Sequence, residues 1–333
     1  MGSNPTPSAK DMKIKPIFLI IIIIIILVFA VGLIGGALLL YRFYISDPLS
    51  QAKIDTFTIK ELPENEMPYN SDGPEIDLNQ ESLQKNINLE NGYSYLSENG
   101  KPYNPVTSSR IILDLLDSYN EKRNPAYLDK AETYAQSLIK SSVEDRGALF
   151  FPYNFTYKIH FDQEEMPNPW YSGMAQGRAL SIFSRLYKET GKKEYLEAAQ
   201  KTFHSLELVR KKDSKIWVAL IGKDSYYWIE EYPTEEVDYT LNGFLYAVFG
   251  LYDYYLIDKN PQSQNLLNAA LTTAKAYIPK YRNENKASWY RLRFKNRNPT
   301  YHRTHIVQMR YLYAMTGDEF FKNMADMFEK DFK

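Results

Sequence analysis

The chain has 333 residues, 40 Lys and Arg against 41 Asp and Glu, and a formal net charge of -1, so no global field suited to a nucleic-acid partner exists. The absence of cysteine excludes disulfides, thiolate metal ligands and a cysteine nucleophile. Tyrosine is abundant, 28 residues against 17 phenylalanines, and its apolar ring with a polar tip suits sugar faces and hydroxyls as well as helix interfaces.

Residues 1–16 read as a cytoplasmic tail. Residues 17–41 carry no charge and include seven consecutive isoleucines, Ile20 to Ile26. As a helix this run is about 37 Å long, enough to cross a hydrocarbon core of roughly 30 Å, and too long for a cleaved signal peptide. Lys10, Lys13 and Lys15 precede it and only Arg42 follows closely. The positive-inside rule therefore predicts a single-pass anchor in the lipid bilayer with the N-terminus cytoplasmic. The bulk of the chain is then extracytoplasmic, at the cell surface or, in a eukaryote, in the Golgi lumen.

Residues 42–103 contain Pro48, Pro63, Pro68, Pro74 and Pro102 among polar residues. They read as a stalk or extended arm with one or two short strands, lying on the main domain.

Residues 104–333 carry a repeat of paired helices. Strongly apolar helices are predicted around Ile111–Tyr119, Leu180–Tyr187, Leu241–Tyr252 and Ile306–Tyr313. Each is followed by a second helix, whose Tyr127/Ala131, Tyr195/Ala199, Leu266/Ala270 and Phe321/Ala325 pairs recur at spacings of 68, 71 and 55. Gly191 and Gly317 read as stops of two first helices. Aromatic and β-branched excursions at 148–161, 215–228 and 287–294 read as hairpins or short strands. The expected fold is mainly α: an incomplete α/α toroid with short hairpins at a cleft. A plain antiparallel bundle is the alternative.

Four constellations carry chemistry. Asn168-Pro-Trp-Tyr-Ser-Gly-Met-Ala-Gln-Gly177 leads into a helix, and Trp170 offers a stacking face for a sugar. Glu230-Glu-Tyr-Pro233 sets a carboxylate beside a tyrosine in a proline-fixed turn, with Glu235, Glu236 and Asp238 following; repulsion among them can raise one carboxyl pKa. Tyr290-Arg-Leu-Arg293 belongs to a basic stretch with nine Lys or Arg between Lys280 and Arg310 against one acid, Glu284. Such a local field attracts an anion, and arginine's planar fork matches a carboxylate. In Tyr301-His-Arg-Thr-His305 the histidines stand three apart without an intervening glutamate, so hydrogen bonding by His302 and His305 is expected rather than zinc or any other metal.

Together these groups suit removal of a hydrogen beside a carboxylate. An arginine neutralises the acid group and a base takes the hydrogen. Returning a proton on the opposite face inverts the centre, whereas protonating the leaving 4-oxygen eliminates it. A non-catalytic glycan-binding surface protein remains the third alternative.

In order along the chain stand Pro169 to Gly177, Glu230-Glu-Tyr-Pro-Thr234, Leu241-Asn-Gly-Phe-Leu-Tyr246 with Gly250-Leu-Tyr-Asp253, Tyr290-x-Leu-Arg293 and Tyr301-His-x-Thr-His-x-x-Gln308. This set resembles the C-terminal domain of the D-glucuronyl C5-epimerases, from about residue 100 onward. The resemblance implies an α/α toroid, no cofactor, and conversion of D-glucuronate to L-iduronate residues in a polysaccharide of the heparan sulfate or heparosan kind. It puts the catalytic glutamate and tyrosine on Glu231 and Tyr232, two further active-site tyrosines on Tyr290 and Tyr301, and the carboxylate-binding arginine on Arg293. Glu231 and Tyr301 are then the acid/base pair across C5. Trp170, Tyr171, Gln176, Asn242, His302 and His305 are the remaining expected substrate contacts. The chain departs from the family pattern at Arg291, Phe294, Glu235 and Glu236. It also has only about 60 residues, where animal members carry a large β-rich region that shapes groove and dimer. A homodimer stays open.

Overall fold

A computed structural model describes Gly32, residues 49–68, Ile76, Leu78, and residues 104–160 and 164–332. The chain divides into units 1–50 and 51–333, and everything below concerns the second. The expected anchor at 17–41 lies, apart from Gly32, outside the described residues. Among those described, no helix is long and apolar enough to cross a membrane.

Among the described residues eight α-helices come in four consecutive pairs: α1 (Pro105–Lys122) with α2 (Pro125–Lys140), α3 (Gly173–Thr190) with α4 (Lys193–Glu207), α5 (Leu241–Ile257) with α6 (Pro261–Tyr277), and α7 (Pro299–Thr316) with α8 (Glu319–Asp331). Four of them begin at Asn-Pro. The side chains of Asn104, Asn124, Asn260 and Asn298 accept first-turn N–H groups while proline fills the position whose N–H has no helical partner. Gly191 and Gly317 end α3 and α7 in the left-handed conformation, at φ 66° and 67°.

The first helix of each pair is inner. α1 packs on α3, α3 on α5 and α5 on α7, and each second helix packs on the one before it. Among the described residues α1 and α7 share no extensive packing, so the ring is incomplete. α3 and α5 approach most closely where Gly177 faces Ala247 and Gly250: a Cβ on Gly177 would meet the Ala247 backbone, and one on Gly250 the Gly177 carbonyl. Such a contact lets two mostly buried helices cross at backbone distance.

Three two-stranded antiparallel pairs among the described residues connect helices: β1 (Val143–Asp145) with β2 (Ala148–Phe150), β3 (Tyr157–Ile159) with β4 (Glu164–Met166), and β5 (Ala219–Ile221) with β6 (Tyr227–Ile229). The two-residue turn Arg146-Gly147 has positive φ at both positions, as a tight hairpin requires. The excursion at 287–294 forms only isolated bridges, Thr240 with Arg291 and Trp289 with Arg297. There Leu292 and Arg293 both donate their N–H groups to the Asp238 carbonyl, which curls the chain into a turn where a strand was expected.

The inner-helix N-termini gather at one end. Gly173 N–H donates to the Glu230 carbonyl, Leu241 N–H to that of Tyr290, and Val106 N–H to the Tyr153 hydroxyl, while Tyr301 lies in the first turn of α7. Their dipoles direct positive potential to that end. The opposite end is crossed by an extended arm. The arm first runs along α6, where Asp55 N–H donates to Thr272 Oγ1, and reaches that end where Lys60 N–H donates to the Met315 carbonyl and Leu62 N–H to the Tyr252 hydroxyl, and Glu64 then meets Asn120 and Lys188.

Candidate active site

Strand β6 delivers the segment Glu230–Thr234 to the start of α3. Gly173 permits this contact, since a Cβ there would strike the Glu230 carbonyl. The Glu230 side chain is fully buried and turns back on its own loop. It accepts N–H groups of Glu231 (2.9 Å), Tyr232 (3.4 Å) and Tyr239 (2.8 Å), and the Trp228 indole N–H (3.2 Å). Burial, then the nearby Asp238 charge, pushes its carboxyl up to about 8 despite the backbone donors. This inward acid fixes the outward direction of the next two side chains.

Glu231 packs on α5 at Gly243, where a Cβ would collide with its carboxylate. Tyr290 Oη donates to Glu231 Oε2 at 3.5 Å, and the hydroxyls of Tyr232 and Tyr290 stand 3.4 Å apart. The Tyr301 ring lies 4.5 Å from that of Tyr290. Glu231, Tyr232, Tyr290 and Tyr301 therefore form one cluster, drawn from a loop, a turn and a helix start.

Burial raises the Glu231 carboxyl to about 7, while Tyr232, the charges of Arg178 and Arg291, and Tyr290 pull it partly back. Burial and then the Glu231 charge push the phenols of Tyr232, Tyr290 and Tyr301 above the ordinary tyrosine range. At neutral pH the cluster thus holds one carboxyl that can give or take a proton and three phenols that stay protonated.

The arginines are arranged differently from expectation. Arg293 directs its fork at acids: Glu164 at 2.7 Å, Glu236 at 2.9 Å and Asp238 at 3.5 Å. Arg291 pairs with Asp238 at 3.0 Å and reaches His160 Nδ1 at 2.8 Å, with its guanidinium 5.3 Å from the Tyr290 ring centre. Arg178, buried on α3, lies 4.5 Å over the Tyr246 ring. The charges of Arg178 and Arg291 lower the Glu231 carboxyl.

The other expected substrate contacts are all buried. Trp170 is 5% exposed, stacked on Tyr153 at 3.8 Å. Tyr171 is buried edge-on against Phe150. Gln176 is fully buried; it donates to the Leu149 carbonyl and Ser205 Oγ and accepts from Phe151 N–H, which pins β2 to α3. Asn242 is buried; its backbone carbonyl accepts from Gln308 Nε2, while its side-chain amide has no hydrogen-bond partner among the described residues. His302 Nδ1 accepts the Ser288 N–H, its Nε2 faces the Phe328 carbonyl, and His305 Nδ1 pairs with Ser288 Oγ. Burial lowers His305 to about 3, so it stays neutral. Both imidazoles anchor Ser288, two residues before Tyr290, and so position that tyrosine from behind. Glu230, Arg178, His160, Tyr157 and Gly243 were not foreseen as site components; the alternation Tyr153, Phe155, Tyr157 and the Asn-Gly at 242–243 were the available signals.

The family described as "D-glucuronyl C5-epimerase C-terminus" matches residues 144–330. The chain belongs to this family. A D-glucuronyl C5-epimerase of Caenorhabditis elegans is 29% identical over 180 residues, which is 48% of this chain and 28% of that protein. An uncharacterized protein of Methanocaldococcus jannaschii is 26% identical over 214 residues, 62% of this chain and 68% of that one. Among solved structures, cellobiose 2-epimerase from Bacillus thermoamylovorans B4167 superposes with a TM-score of 0.52 at 12% identity, covering 75% of this chain and 67% of that one. That likeness supports the α/α toroid as the fold. The chain spans little more than a quarter of the nematode protein's length.

Proposed function

We propose that the protein is a carbohydrate epimerase that inverts C5 of D-glucuronate residues within an anionic polysaccharide, giving L-iduronate. The carrying observation is a buried carboxyl, Glu231, in one cluster with the tyrosines Tyr232, Tyr290 and Tyr301, in a chain of this family. Glu231 as carboxylate takes the C5 hydrogen as a proton, and the electron pair moves into the C6 carboxylate as an enediolate. Tyr301 gives a proton to C5 from the other face, with Tyr232 and Tyr290 relaying protons and donating hydrogen bonds. Positive charge from Arg178 and Arg291, and the inner-helix N-termini, disperses the charge of the enediolate. For Arg293 to take the substrate carboxylate, that carboxylate must replace one of its acidic partners.

The reading includes the bilayer anchor at 17–41 with the catalytic part outside, supported by the uncharged run and the lysines before it. The test is incubation of heparosan and other glucuronate polymers in deuterated water, read by NMR. Deuterium at C5 and iduronate signals are expected, lost in Glu231→Gln and Tyr301→Phe. Absence of exchange with every polymer refutes the reading, and ultraviolet absorbance growing from an unsaturated product would instead mark a lyase.

A further inference from the structure

Trp170 is not an open stacking face. Tyr153 covers one side at 3.8 Å, Phe155 meets it edge-on at 6.2 Å, and Tyr157 lies nearly parallel at 5.7 Å. The exposed member of this ladder is Tyr157, at 41%, against 2% for Tyr153 and 5% for Trp170.

We propose that Tyr157 is a stacking platform for a second pyranose ring, the chain neighbour of the sugar held at Glu231. The proposal rests on the polymer reading above and extends it to a binding site of its own. A lone exposed aromatic is ordinary on a protein surface, but this one is held in place. Its ring runs within 17° of Trp170 and 23° of Tyr232. Its strand pairs with β4, Tyr157 opposite Met166. The same hairpin is tied at its other end, where Glu164 binds Arg293 at 2.7 Å and His160 meets Asp238 at 3.0 Å. A ring fixed before the ligand arrives loses little freedom on binding.

Placement agrees. The Tyr157 ring centre is 6.2 Å from that of Tyr232, whose hydroxyl lies 3.4 Å from the Tyr290 hydroxyl that reaches Glu231. A sugar at the carboxyl therefore puts an adjoining residue of the polymer beside Tyr157. The chemistry also divides sensibly. Arginines and helix ends recognise the charged uronate, and an uncharged aromatic face accepts the apolar C–H face of the neighbouring ring.

The test uses the full chain with Glu231→Gln to hold substrate unturned, titrated with a heparosan octasaccharide by calorimetry. Adding Tyr157→Ala is expected to weaken Kd roughly 2- to 12-fold, the factor for losing one aromatic stacking partner. Tyr157→Phe, which keeps the ring, is expected to stay within about twofold. In parallel, Tyr157→Ala on the Glu231 background is assayed for C5 exchange, where KM should rise by a similar factor. Unchanged Kd in the alanine variant, equal loss in the phenylalanine variant, or no binding by the parent protein each overturns the platform. Ring-dependent binding without C5 exchange in the unsubstituted protein supports the platform and refutes the epimerase reading.

Discussion

Gly243→Ala isolates the fit of Glu231 from the stability of the helix that carries it. Gly243 is the third residue of α5, where alanine gains less over glycine than the roughly 0.8–1 kcal/mol of a helix interior. Against that gain, the new Cβ would stand 2.7 Å from Glu231 Cβ and 2.8 Å from its Cδ, distances real side chains do not tolerate. Overpacking of this kind costs about 1–3 kcal/mol, so the net change is a loss of at most about 3 kcal/mol. The carboxylate can swing aside, but Glu231 Cβ moves only with its backbone, so relief shifts the whole residue in its loop. A shift on the order of 1 Å at a reacting group costs roughly a hundredfold in rate. The expected result is a protein that melts within a few degrees of the parent but exchanges C5 hydrogen about a hundredfold more slowly. Gly250→Ala is the contrast. Its Cβ meets the backbone of Gly177, which cannot swing aside, so stability falls while the rate per folded molecule is largely kept. Should Gly243→Ala exchange within about threefold of the parent, the close seat of Glu231 on α5 is irrelevant to the chemistry.

The rate of C5 exchange should rise with pH through about 7, as the Glu231 carboxyl ionises, and a pH–rate profile checks this. Because folding raises this carboxyl from 4.5 to about 7, the native state binds more protons than the unfolded chain between those values. Stability contributed by the protonated group is therefore lost as pH rises through that window. Glu231→Gln should consequently stabilise the fold on the order of 1–3 kcal/mol above pH 7 and little below pH 4, as measured by denaturant melts at both pH values. Arg178→Gln removes a positive charge that lowers the Glu231 carboxyl, so the rate profile should move toward higher pH; an unmoved profile would show that Arg178 does not act on Glu231. Glu164→Gln removes one of three acids from Arg293, and KM for an anionic polymer should fall by roughly two- to fivefold, whereas a rise would mean that Glu164 itself contacts the sugar.

The sequence alone marked several of the helix starts and stops, because those signals are local. Asparagine caps an adjacent N–H, proline at the next position needs none, and glycine after the last turn takes the left-handed conformation. The alternation of apolar inner helices with a second set was equally legible from periodicity, and the ordered motifs marked Glu231, Tyr232, Tyr290 and Tyr301, which the fold brings together. Which other polar or aromatic side chains face the cleft was not legible. His302 and His305 sit beside Tyr301 in the chain, yet they point inward to Ser288. Gln176 is sealed between β2 and α4, Trp170 is covered by Tyr153, and Arg293 is paired with Glu164, 129 positions earlier. Each outcome depends on partners delivered by distant segments. Local propensity acts over a few residues, whereas burial and ion pairing depend on what the rest of the chain packs against each side chain, and only the tertiary structure decides that.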